Sequence, residues 1–229
     1  MDVTLPSTRR LFTIGHSNSE LQNFLGVLIR HEIKVVCDVR SRPGSFRFPQ
    51  FNREPLEAQL TSARIRYEFF GEHLGGRPAK PEFYLPNGLV DYSARRRAAD
   101  FLEAVNRMLA LRQEPSEPSK VRRKASEKEL AQHNVAVMCA EEDPLHCHRF
   151  MLICPAVVQQ GVAPLHLRRG GLLEAQRDAE DRLLKLHGFA DVTSDSLFSQ
   201  GRAAALEDAL RLQSEQYAFR TSPEAIEYF

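Results

Sequence analysis

Apolar residues along the chain alternate between short β-branched runs and stretches with helical spacing. Residues 10–15, RLFTIG, form an apolar run that closes on a glycine, which predicts a strand; over 19–30 Leu21, Phe24, Leu25, Leu28 and Ile29 then recur three and four apart, which predicts a helix. Residues 33–39, IKVVCDV, read as a central strand covered on both faces. A helix over 54–63 and a strand over 65–70 complete a third unit. Further on, the spacing predicts a helix over 92–112, a strand over 134–139, a helix over 146–161 and a short strand over 163–167.

Between these elements lie segments without period. Pro43, Gly44 and Pro49 forbid regular structure after the second strand, and 71–91, with Gly75, Gly76, Pro78, Pro81 and Pro86, reads as a long loop suited to a lid. A polar run over 113–132 reads as a charged insertion. The alternation predicts an α/β domain over 1–170, a Rossmann-like open, mostly parallel sheet with helices on both faces. Residues 171–229 read as a helical C-terminal extension packed on its outside and carrying no chemistry.

Composition narrows the function classes. Lys plus Arg number 31 against 30 Asp plus Glu, so no global basic field is present and any anion site has to be local. No stretch reaches the roughly 20 apolar residues that cross a bilayer, and the N-terminal residues lack the apolar core of a signal peptide. With four cysteines, these features lead to the expectation of a cytoplasmic protein with no membrane partner, its thiols serving packing or chemistry rather than disulfides.

Two constellations carry chemistry. Asp38 and Arg40 end the central strand, where ligands sit in parallel sheets, and the following loop brings Arg42, Ser45, Arg47 and Arg53 among Phe46, Phe48 and Phe51. That loop suits a phosphate or carboxylate together with a flat ring. The second constellation is Cys139-Ala140-Glu141 at the end of the strand over 134–139, followed by Asp143-Pro144 and then Cys147, His148 and Arg149. A helix N-terminus near Cys147, with His148 and Arg149 beside it, favours a thiolate. Cys37 and Cys154, inside apolar runs, read as packing residues. Cys139 and Cys147 with a histidine supply soft ligands, but they lack the Cys-x2-Cys spacing of structural zinc sites, so neither a metal nor a cofactor is expected. His16 follows the first strand, and Ser17 or Asn18 is placed to cap the next helix.

The segments IGHSN at 14–18, DVRSRPGS at 38–45 with Phe51, LGG at 74–76 and CAEEDPLHCHR at 139–149 together resemble the domain-of-unknown-function 488 family. The resemblance covers about 10–170 and implies a bacterial-type α/β fold without an established reaction. Its motif positions fall on His16, Ser17, Asn18, Asp38, Arg40, Pro43, Ser45, Cys139, Glu141, Cys147, His148 and Arg149. Read from the residues, Asp38 or Glu141 is expected as general acid/base, with Arg40 and Arg149 clamping an anionic group and His16 assisting. The substrate class expected is a nucleotide, nucleobase or nucleic acid, bound as a phosphate-containing partner. The alternatives are thiol chemistry at Cys147 or Cys139, such as sulfur transfer or redox, and a non-catalytic nucleotide- or phosphate-binding module.

Overall fold

A computed structural model of the chain describes residues 10–113, 133–189 and 199–222. The charged insertion expected over 113–132 therefore lies almost wholly outside the described residues. In chain order the elements are β1 (Leu11–Gly15), α1 (Leu21–Arg30), β2 (Ile33–Asp38), α2 (Arg53–Ser62), β3 (Arg66–Phe69), the single turn α3 (Gly71–Leu74), α4 (Tyr92–Arg96), α5 (Ala99–Ala110), β4 (Asn134–Cys139), α6 (Cys154–Gln159), β5 (Leu165–Leu167), β6 (Leu173–Ala175), α7 (Gln176–Leu186) and α8 (Ser199–Tyr217). No helix among the described residues is long and apolar enough to cross a membrane.

Six strands form one sheet in the order β3-β2-β4-β1-β5-β6, parallel except for the β5–β6 pair. Side chains alternate across it, as strand geometry requires. Along β2, Val36 joins Phe24, Leu28, Leu56 and Leu60 of α1 and α2 on one face. Its neighbours Val35 and Cys37 join Phe101, Met108, Val157, Leu183 and Leu210 of α5 to α8 on the other. Both faces are thus covered by helices, and each fully buried leucine or phenylalanine contributes about 1.5–3 kcal/mol.

The open α/β sheet follows the expectation, but β4 lies between β2 and β1, which departs from the 3-2-1-4-5-6 order of the Rossmann fold. The likeness extends to the layers and not to the strand order. One consequence matters for the site. From β2 the chain leaves toward β3 on one side, and from the adjacent β4 it leaves toward β5 on the other. A crevice therefore opens at the carboxyl ends of β2 and β4, where Asp38 and Cys139 stand.

Three expectations need correction. The helix expected over 146–161 begins later: Asp143 caps a single 3-10 turn (Pro144–His146), Cys147 is extended at φ −137° and ψ 140°, and a π-helical turn (Arg149–Ile153) leads into α6. Pro155 has no N–H for the carbonyl of Met151, and Arg96 Nη1 donates to that carbonyl at 2.9 Å instead. The loop expected over 71–91 is pinned rather than loose. It begins with α3, the Tyr92 hydroxyl donates to Gly76 O at 3.3 Å and Arg77 N to Ser41 Oγ at 3.0 Å. Beyond 170, finally, the chain adds the antiparallel edge strand β6 before it turns helical, because Leu165–Leu167 and Leu173–Ala175 satisfy each other's backbone groups across a tight turn.

Candidate functional site

At the end of β2, Asp38 is fully buried and fully engaged. Arg40 donates to it from Nε at 2.9 Å, from Nη2 at 2.6 Å and from its backbone N–H at 3.0 Å, and the Tyr67 hydroxyl donates at 2.8 Å. The other edge of the Arg40 guanidinium donates from Nη1 to His16 Nε2 at 3.2 Å. His16 in turn donates from Nδ1 to Ser17 O at 2.9 Å and stacks on Phe51 with ring centres 4.3 Å apart. Burial, and then the Arg40 charge, hold its pKa down to about 4, so the ring is neutral and its Nε2 lone pair faces Arg40. Asp38 and His16 thus position Arg40; neither faces open space.

The end of β4 is built differently. Hydrogen bonds from His16 N to Cys139 O at 3.0 Å and from Ser17 N to Ala140 O at 2.7 Å seat the strand end against β1. A Cβ on Gly15 would overlap the Glu141 carbonyl, so glycine is required there. The Cys139 thiol donates to Glu141 Oε2 at 3.1 Å and lies 3.6 Å from His148 Nδ1. The Cys147 sulfur is 3.9 Å from the same Nδ1. His148 Nε2 donates to Val39 O at 3.1 Å, which fixes the tautomer and turns Nδ1 toward both sulfurs. Gly76 leaves room for this ring, since a Cβ there would approach His148 Cγ to 2.8 Å.

The electrostatics of this cluster follow from crowding. Cys139 is pushed well up by the neighbouring Cys147 sulfur and by burial. For Cys147, burial opposes ionisation, but the neighbouring Cys139 thiol, the Arg149 charge and His148 outweigh it and lower its pKa well below the ordinary thiol value. Glu141 is raised by desolvation and by the Cys147 charge. Burial lowers His148, and the neighbouring Cys147 sulfur and Glu141 more than restore it. Cys37 and Cys154 sit in the core, where burial pushes both thiols far up, as packing residues do.

A cavity of about 550 Å³ opens over this cluster. Of the residues singled out in the sequence, Arg40, Arg42, Cys139, Glu141, Cys147 and His148 line it. Asp38, His16, Ser17, Asn18, Ser45, Arg47 and Arg149 do not. Arg149, expected as an anion clamp, is buried and donates to the carbonyls of Glu141 and Glu142, which shapes the loop after β4. Ser45 Oγ accepts from Arg47 N and Phe48 N and so folds its own loop. Neither Ser17 nor Asn18 caps α1, whose N-cap is Glu20; Asn18 accepts from Arg169 instead. Of the three phenylalanines, Phe51 is core and Phe46 is fully exposed, so they do not form one ring-binding face.

The cavity also takes residues that the sequence reading missed. Arg77 comes from the pinned segment after α3, and Tyr217, Phe219 and Arg220 come from the end of α8 and beyond it. Tyr217 stacks on His146 at 4.2 Å, and Arg77 lies 4.5 Å over the Phe219 ring. Val90 N donates to Phe219 O at 3.0 Å and Thr221 N to Gly88 O at 2.9 Å, so the C-terminal segment is strapped across the cavity wall. The tail therefore does carry site residues; only its pairing to a segment about 130 positions away reveals it, and no local pattern does.

A family model described as a domain of unknown function, DUF488, matches residues 20–154. The match takes in the Asp38 loop and the whole Cys139–Arg149 segment, and the chain belongs to this family. No curated protein and no solved structure matches the chain.

Proposed function

We propose that this member of the family is an enzyme acting on a phosphate-bearing substrate with a flat ring, of the nucleotide class, in the cavity above Glu141. The observation that carries the reading is the lining. Arg40, Arg42, Arg77 and Arg220 surround an opening in which Glu141 is, among the described residues, the carboxylate present. Guanidinium forks match phosphate oxygens in geometry and keep their charge when partly desolvated. The stacked His146–Tyr217 pair and Phe219 supply flat faces for a ring. Glu141 takes the proton-handling role, and Asp38 holds Arg40 toward the phosphate.

Thermal unfolding in the presence of inorganic phosphate, ribose 5-phosphate, nucleosides and nucleoside 5′-monophosphates tests this. The monophosphates are expected to raise the melting temperature most, by about 2.7 kcal/mol of stabilisation at one hundred times Kd. Arg77→Ala and Arg220→Ala are each expected to weaken binding about ten- to a hundredfold. Glu141→Gln should bind the same ligand and give no product. Absence of any ligand-dependent shift, or a shift indifferent to both arginines, sinks the proposal.

A second reading, thiol chemistry at Cys147, draws on the place of this sulfur at the cavity, 3.9 Å from His148 Nδ1, and on its lowered pKa. It predicts that limiting iodoacetamide labels Cys147 well ahead of Cys37 and Cys154. Equal labelling removes it.

A further inference from the structure

We infer that Cys139, Cys147 and His148 form a binding site for one zinc ion at the floor of the cavity. This goes against the sequence spacing, in which the two cysteines stand eight positions apart. Spacing in the chain, however, is only a proxy for distance. Here a strand end supplies Cys139, and an extended residue after a 3-10 turn supplies Cys147 with His148 beside it.

Three observations converge. The first is geometric: both sulfurs and His148 Nδ1 lie within 4.8 Å of one another, with nitrogen-to-sulfur distances of 3.6 and 3.9 Å. A tetrahedral zinc with about 2.3 Å bonds to sulfur and about 2.05 Å to nitrogen sets ligand atoms about 3.6 to 3.8 Å apart. The ligand atoms are thus arranged as the ion needs them, in side chains whose rotamers are fixed by burial.

The second is the outer support. His148 donates its Nε2 proton to the Val39 carbonyl at 3.1 Å, which turns Nδ1 toward the sulfurs. Metal-binding imidazoles are held in this way almost without exception. Gly76 admits the ring and Val39 O orients it, so the ligand is preorganised from two further segments.

The third is the donor chemistry: two cysteine sulfurs and one imidazole nitrogen converge on one point, and such soft donors favour zinc over magnesium or calcium.

Three protein ligands leave a fourth position, and because all three line the cavity, that position faces it, next to Glu141. Such an open position marks a catalytic rather than a structural zinc. The spacing of Cys139 and Glu141, ligand-x-Glu, is the one that zinc deaminases of nucleobases use to set a carboxylate beside the metal. The inference deepens the proposed function and rests on that reading for the role of the ion, though not for its binding.

The test uses the full chain expressed with zinc in the medium and purified without chelator. Elemental analysis is expected to give about one zinc per chain, falling at least tenfold in Cys147→Ser and in His148→Gln. Since those variants could fail to fold, wild-type protein stripped with dipicolinate and reloaded with cobalt(II) provides a second readout. Thiolate-to-cobalt charge transfer and the intense visible bands of a tetrahedral ion are expected, and zinc should slow iodoacetamide labelling of Cys147 at least tenfold. Protein that holds no zinc, shows no tetrahedral cobalt spectrum and labels at Cys147 regardless overturns the site. Protein that passes these tests but shows no nucleotide-dependent stabilisation upholds the zinc site and overturns the phosphate reading.

Discussion

Two neighbouring strand ends treat their polar residues in opposite ways. At the end of β2, Asp38, Arg40, His16 and Tyr67 form a closed network in which the carboxylate accepts from both partners and is shut off from the cavity. At the end of β4, Cys139, Glu141, Cys147 and His148 face the cavity and lie within hydrogen-bonding reach of one another. Both segments look equally rich in ionisable residues along the chain. The difference teaches that access to the cavity, rather than charge density, separates a scaffold from a candidate centre. A buried ion pair closed on itself holds a guanidinium in place; a cluster that lines a cavity is where a ligand or ion can still gain something.

The comparison breaks most directly at Asp38. Replacing it with alanine leaves the Arg40 charge buried without its partner, and about 3–5 kcal/mol of stability should be lost in urea unfolding. Glu141→Gln, at the other strand end, should stay within about 0.5 kcal/mol of wild type. Equal effects of the two would erase the distinction between scaffold and centre.

Acid sharpens it from the side of the supporting loop. Asp143 caps the turn before Cys147 and receives two hydrogen bonds of 2.8 Å from Arg182. Burial works against its charge, but those bonds, the Leu145 N–H and the charges of Arg182 and Arg168 prevail and hold its pKa down to about 2 from 3.8. A depressed folded pKa means stability that is present above about pH 4 and is lost as pH falls through 2. The contribution is about 2 kcal/mol. The urea midpoint should therefore drop more steeply between pH 4 and pH 2 in wild type than in Arg182→Ala. Identical slopes would show that the ion pair does not hold this turn.

The smallest effect is expected at Phe46. The side chain is fully exposed, so Phe46→Ser should change stability by less than about 0.5 kcal/mol and leave ligand binding unaltered. A marked loss of binding would restore the ring-binding role that its place among the arginines suggests.

The sequence by itself determined the layers. Period-two and 3.6-residue patterns fix which side chains must be buried, and that requirement is local, so the strands β1 to β5 and the helices α1, α2 and α5 fall close to where the pattern places them. It also singled out Arg40, Arg42, Cys139, Glu141, Cys147 and His148 among the residues that line the cavity, because they follow the ends of parallel strands. The tertiary structure alone decided their roles. Whether Asp38 reacts or supports depends on Tyr67, 29 positions away, and on Arg40 turning back on it. Whether Cys139 and Cys147 share an ion depends on an extended residue between two helical turns and on a carbonyl from β2's end, Val39, that orients His148. Likewise, Tyr217 and Arg220 enter the site only because the segment after α8 pairs with residues 88–90. Patterns along the chain record burial, which each residue meets nearly on its own. Satisfaction of polar groups is a property of pairs brought together by folding, and for that reason it is written in the structure first.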